Sequence, residues 1–151
     1  MLAIVAPGQG SQTPGMLIPW LEDNSTMKLV SKWSLHIDLD LERLGTTATA
    51  DEIKDTANAQ PLIVATSLIG FEKLGITKFI ATAGHSVGEI TAGAISDIFS
   101  PVHALELVRQ RGLAMAKAAS ESETGMSAIL GGDRESVLSS LASLDLTPAN
   151  D

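Results

Sequence analysis

The stretch KFIATAGHSVGEITAG, Lys78 to Gly93, decides how this sequence folds. An apolar run, Phe79–Ala83, meets Gly84-His85-Ser86-Val87-Gly88 and passes into a helical run, Val87–Ile98. A short apolar run bounded by glycine reads as a buried parallel strand. G-x-S-x-G is weak by itself, but a strand on one side and a helix on the other is the setting of a nucleophile elbow. Gly84 and Gly88 have a mechanical reason there, since a sharp turn brings backbones too close for a Cβ. Ser86 would stand at a helix N-terminus, where the dipole favours developing negative charge. A serine in a tight strand–helix loop also serves as an N-cap, and the pattern alone leaves both readings open.

Outward from that turn, Leu2–Ala6 reads as a second buried strand, ended by Pro7-Gly8. Helical turns are expected at Met16–Leu21 and Met27–His36. The segment Leu39–Thr56 is polar and irregular, with one helical turn at Asp51–Lys54. Ala59–Leu74 predicts a helix with Pro61 in its first turn and Gly75 as its stop. Its apolar residues (Leu62, Ile63, Val64, Leu68, Ile69) run nearly all round, so it should be buried. Pro101–Ala119 predicts another helix. Glu121–Thr124 is a polar break, followed by a predicted strand, Met126–Leu130, and a helix, Arg134–Leu144.

Strands alternating with helices indicate an α/β fold with parallel pairing. Residues 1–124 form the main unit and 125–151 the start of a second. Two strands are few for a sheet that must cover so many apolar helices. The expectation is therefore that these 151 residues are truncated or need a second chain.

Composition narrows the function. With 44% hydrophobic and 19% charged residues, the chain is globular rather than disordered. A net charge of −8 without a basic stripe argues against nucleic-acid binding. The absence of cysteine excludes disulfides, thiolate metal sites and a Cys nucleophile, and three scattered histidines support no metal site. MLAIVAPGQG lacks the charged start of a signal peptide, and no apolar run reaches membrane-span length, so a soluble cytoplasmic protein is expected.

The loop GQGSQTPG, Gly8–Gly15, fails as a dinucleotide loop because Thr13 stands where the third glycine belongs and Pro14 follows. Two parallel strands end at one edge of a sheet, so this loop should meet the Ser86 turn there. An oxyanion hole built that way would take the backbone N–H of Val87 and that of Gln9. On a helix, Arg111 has Leu107, Val108, Ala114 and Met115 as neighbours, all apolar. It either binds an anion or snorkels. Arg109 has Glu106 three residues earlier for a surface pair. For the base, His85 points away from Ser86 on a sharp turn, His36 reads as solvated and His103 as a cap or exposed residue.

GQGSQ (8–12), AQP (59–61), GHSVGE (84–89), Arg111-Gly112 and GMSAILG (125–131) together resemble the malonyl-CoA:acyl-carrier-protein transacylases of fatty-acid and polyketide synthesis, over the whole chain. The resemblance implies an α/β-hydrolase-like core carrying a small inserted ferredoxin-like subdomain. Ser86 would take malonyl from malonyl-CoA and pass it to the phosphopantetheine thiol of acyl carrier protein, with no cofactor of the enzyme's own. Gln9 and Val87 would supply the oxyanion hole. Arg111 would pair with the malonyl carboxylate, and Gln60 and Met115 would line the pocket. The family's catalytic histidine follows the subdomain, so the 151 residues alone are expected to be inactive. A polyketide-type acyltransferase module, a serine thioesterase or esterase, and a purely structural subunit are the competing readings.

Overall fold

The computed structural model describes residues 1–121 and 125–149. Two strands, β1 (Ala3–Ala6) and β2 (Ala81–Gly84), pair in parallel with Ala3 opposite Ala81 and Ala6 opposite Gly84. Both therefore end at the same edge, as expected. They are not buried on both faces. Ile4 packs against the core, whereas Val5, pointing the other way, is 75% exposed. Among the described residues, helices cover one face of this ribbon only.

The helices in chain order are α1 (Ile18–Leu21), α2 (Asn24–Ile37), α3 (Leu41–Thr46), α4 (Thr56–Leu74), α5 (Gly88–Ile95), α6 (Pro101–Ser120) and α7 (Arg134–Ser143). The predicted turn at 51–54 is a 3-10 turn, Glu52–Lys54, with Ile53 buried. α4 is the central helix. Gln60, Leu62, Ile63, Val64, Ala65 and Ile69 are all buried, consistent with an apolar surface that runs all round. It packs against both α5 and α6.

α4 begins three residues before its predicted start because Asp55 caps it, accepting from the Ala57 N–H at 2.8 Å. Pro61 consequently lies inside the helix and not in its first turn. A proline there leaves the carbonyl four residues earlier, that of Ala57, without its helical donor. Arg109 fills the place, Nη1 donating to the Ala57 oxygen at 3.0 Å. The predicted Arg109–Glu106 surface pair does not form. Glu106 instead meets His36 at 2.6 Å and ties α2 to α6, so His36 is not simply solvated.

α3 lies where an irregular segment was expected. Asp40 caps it through the Arg43 N–H at 2.9 Å, and it buries Leu41 and Leu44. Arg43 then bridges to Glu52 at 2.6 Å. Asp23 caps α2 and is paired with Lys73 at the end of α4; these partners hold its carboxyl well below the usual carboxylate range. α5 stops at Ile95, before the predicted Ile98, where Asp97 takes a left-handed conformation.

The predicted strand Met126–Leu130 is not found. Strands need ladder partners, and no described residue pairs with this segment, which leaves Met126 80% and Leu130 94% exposed. α7 follows, capped by Asp133, with none of its residues buried. Of the predicted break at 121–124, residues 122–124 lie outside the described residues. No described helix is long and apolar enough to cross a membrane.

A Cβ on residue 84 would coincide with the backbone of Gly88 and Glu89. Gly84→Ala is accordingly expected to destabilise the protein by about 2–3 kcal/mol or more, since rigid backbone cannot rotate aside as a side chain can. Urea denaturation of the variant checks this; a loss under ~1 kcal/mol would mean the turn is looser than described.

Candidate active site

The turn between β2 and α5 is built by close backbone approach. His85 extends the ladder, its N–H donating to the Ala6 oxygen at 3.2 Å. A Cβ on residue 88 would run into the carbonyls of Ala6 and Pro7, so glycine there lets α5 begin directly against the end of β1. Between these glycines Ser86 is forced to φ +54°, a left-handed conformation that non-glycine residues adopt at a cost. The turn is closed by Gly88 N–H to His85 O at 2.9 Å and Glu89 N–H to Ser86 O at 3.0 Å.

Ser86 does not cap the helix. The N-cap is Val87, with no side-chain cap bond, and the Val87 side chain is fully buried as an anchor beneath the turn. The Ser86 hydroxyl instead faces across to α6, where Arg111 Nη2 donates to Oγ at 3.1 Å. Arg111 is aimed by its other nitrogen, Nη1 donating to Gln60 Oε1 at 2.6 Å. Gln60 is completely buried, and its Nε2 donates to Met115 Sδ at 3.2 Å. A buried amide so held has one orientation, with its oxygen toward the arginine. Gly112, the residue after Arg111, makes the reach possible: a Cβ there would lie 2.9 Å from the Thr56 oxygen.

With that geometry in hand, comparison with known proteins places the chain. No protein-family model matches it. The malonyl CoA-acyl carrier protein transacylase of Mycobacterium tuberculosis is 52% identical over 155 residues, covering 99% of this chain and 51% of that protein. The crystal structure of MCAT from the same organism superposes with a TM-score of 0.91 over the same shares of the two chains. A type II PKS acyl-carrier protein in complex with its malonyl-transacylase also matches, at 28% identity and a TM-score of 0.76, over 93% of this chain and 47% of that one. The chain belongs to the malonyl CoA-acyl carrier protein transacylase family. It spans about half the length of the curated relatives it matches.

In this transacylase-family chain four of the six predicted site residues form one hydrogen-bonded chain, Val87 follows Ser86 directly, and Gln9 is tied to the start of α4. Ser86, Arg111, Gln60 and Met115 are linked by hydrogen bonds. Gln9 lies in the loop after β1, and the neighbouring Gly8 is pressed against the ring and carbonyl of His85. The Gln9 side chain donates to Thr56 Oγ1 at 3.2 Å, tying that loop to the start of α4. Neither the Gln9 nor the Val87 backbone N–H has a hydrogen-bond acceptor among the described residues.

None of the three histidines bonds Ser86. His85 lies over Gly8, His36 is on Glu106, and His103 is exposed in the first turn of α6, whose cap is Ser100. Beside Ser86 opens a cleft of about 570 Å³ lined also by Glu89, Ile90, Leu107, Gln110 and Ala114. Sequence reasoning missed Glu89, Gln110 and Leu107 as lining residues. Helical spacing held the signal, because Leu107, Gln110, Arg111 and Ala114 share one face of α6.

The left-handed φ of Ser86 makes stability and chemistry separable. Ser86→Gly is expected to raise unfolding stability by about 0.5–1 kcal/mol, the relief of strain less the extra freedom of unfolded glycine. Thermal and urea melts measure it; a destabilised variant would show that the hydroxyl's bond to Arg111 outweighs the strain.

Proposed function

We propose that this chain carries the nucleophile and carboxylate clamp of an enzyme that moves malonyl from malonyl-CoA to the phosphopantetheine thiol of acyl carrier protein, for fatty-acid synthesis in the cytoplasm. The observation that carries this is the Arg111 guanidinium held between Gln60 and Ser86. The carboxylate of a malonyl ester lies one methylene from the carbonyl carbon. A cation meant for it must therefore stand within a few ångström of the attacking oxygen. Arg111 does, and its planar fork suits a carboxylate, whereas acetyl would leave it without an anion.

In the proposed reaction the Ser86 oxygen attacks the thioester carbonyl while its proton passes to a base. The Gln9 and Val87 amides hold the oxyanion, the C–S bond breaks, and coenzyme A leaves as the thiol with that proton. The carrier's thiol then gives its proton to the base and attacks the Ser86 ester, the C–O bond breaks, and the base passes that proton to the serine oxygen. Because Ser86 Oγ accepts from Arg111, its own O–H stays free to be donated. The base we assign is a histidine outside these residues. Residues from 125 onward, with Met126 and Leu130 exposed and nothing of α7 buried, suit the start of a small ferredoxin-like subdomain that further strands would complete.

The solved complex of a malonyl-transacylase with an acyl-carrier protein supports that partner. Malonyl-CoA and the carrier are both anionic, as is this chain, so a local basic patch must guide them. No resident cofactor is needed, since phosphopantetheine arrives on the partner.

In the complete enzyme, malonyl-CoA should label Ser86, and the label should persist until acyl carrier protein discharges it. Release to water at the same rate without carrier would make the enzyme a hydrolase. Arg111→Ala should lower the preference for malonyl over acetyl thioesters by roughly 100-fold, about 3 kcal/mol for a charged hydrogen-bonded pair. An unchanged preference would remove Arg111 from the clamp.

A further inference from the structure

Arg109 and Pro61 form a unit that the proposed chemistry does not use. Pro61, inside α4, deprives the half-buried Ala57 carbonyl of its helical donor, and Arg109 Nη1 supplies one from α6 at 3.0 Å. Two residues on, Arg111 donates to Gln60, one turn further along α4. Between the two arginines Gly112 presses on α4, where a Cβ would lie 2.9 Å from the Thr56 oxygen and 3.2 Å from the Ala57 Cα. At about 100° per residue, Arg109 and Arg111 fall on opposite flanks of Gly112. The contact line thus has a grip on each side.

We infer that Arg109 is a positioning residue for Arg111. Leu105 and Val108 pack α6 into the core before this point, but at Gly112 glycine against backbone offers no interlocking side chain, so the rotation of α6 there depends on the residues at its flanks. A roll would carry the Arg111 fork off Gln60 and away from Ser86. By holding the carbonyl that Pro61 left free, Arg109 fixes that rotation from the far flank without touching substrate. The proline is the enabling feature: with an N–H at position 61, the Ala57 oxygen would be occupied within α4. This inference rests on the reading of Arg111 as the carboxylate clamp.

The test compares malonyl-CoA with acetyl-CoA in the complete enzyme. Arg109→Ala should lower the malonyl-over-acetyl ratio of kcat/KM by about tenfold. The loss should lie mainly in KM for malonyl-CoA, with acetyl transfer within about threefold of the parent. Arg109→Lys, which keeps a charged donor, should retain most of the ratio. The double variant Pro61→Ala/Arg109→Ala returns to Ala57 its own helical donor and so keeps the fold should Arg109→Ala alone unfold. It should still show the reduced ratio, because only the grip is missing. A ratio that recovers in the double variant, or that stays at the parent value in Arg109→Ala while Arg111→Ala abolishes it, would make Arg109 a purely structural tie and overturn the inference. A parent ratio in Arg111→Ala itself would instead bring down the clamp reading, and the inference with it.

Discussion

The place where a Cβ of residue 88 would go is filled by the carbonyl oxygen of Ala6. That exclusion governs the site. It lets α5 start against the end of β1, and the turn before it has no slack. With the Gly84 position also closed by backbone, the one residue between them that must bend sharply is Ser86, at φ +54°. The strain of about 1–2 kcal/mol is small beside what surrounds it. His85 is bonded to Ala6, Gly88 to His85 and Glu89 to Ser86, and Val87 is buried. A strained conformer persists where its neighbours over-determine it, and here the neighbours are mostly backbone.

The second organising feature is the N-terminal part of α4, Thr56 to Gln60, to which Gln9, Arg109, Arg111 and Met115 are all tied. Thr56 Oγ1 receives Gln9, the Ala57 oxygen receives Arg109, and Gln60 receives Arg111 and reaches Met115. A fully buried glutamine in an otherwise apolar helix is costly unless its amide is satisfied. Its oxygen has a charged donor, and its nitrogen has only a thioether, a weak acceptor. The arrangement favours the oxygen-to-arginine orientation, because the reverse flip would set two donors against each other. Buried polarity here fixes direction more than it adds stability.

What the sequence made legible was whatever depends on local spacing. The elbow was readable because both glycines, the serine and the flanking strand and helix lie within one short stretch. Arg111 was readable because its helical neighbours are apolar. Tertiary choices were not. Pro61 looked like a first-turn proline because that is where proline usually sits, while the cap that decided the start, Asp55, lies six residues upstream. Glu106 had Arg109 at pairing distance along the helix but took His36 from α2. Exposed pairs differ by so little energy that packing decides between them. α3 carries only two buried leucines beside Gly45, too few to display a period. The segment 126–130 has strand composition, but a strand exists only with a partner, and composition names none.

A cation beside a serine invites the idea that it activates the hydroxyl directly, and magnitudes decide against that. At 3–4 Å and an effective dielectric near 20, a unit charge is worth about 4–5 kcal/mol, or roughly three pK units. An aliphatic hydroxyl, about as weak an acid as water, would still lie far above neutrality after such a fall. Almost none of it would be ionised at neutral pH, so a general base remains necessary whatever Arg111 does. Toward a carboxylate the same guanidinium needs no such help, since its partner is already ionised and matches its fork in shape. The cation is thus far better matched to the substrate's acid than to the enzyme's alcohol. Its bond to Ser86 reads as the resting contact of a group placed to meet an anion.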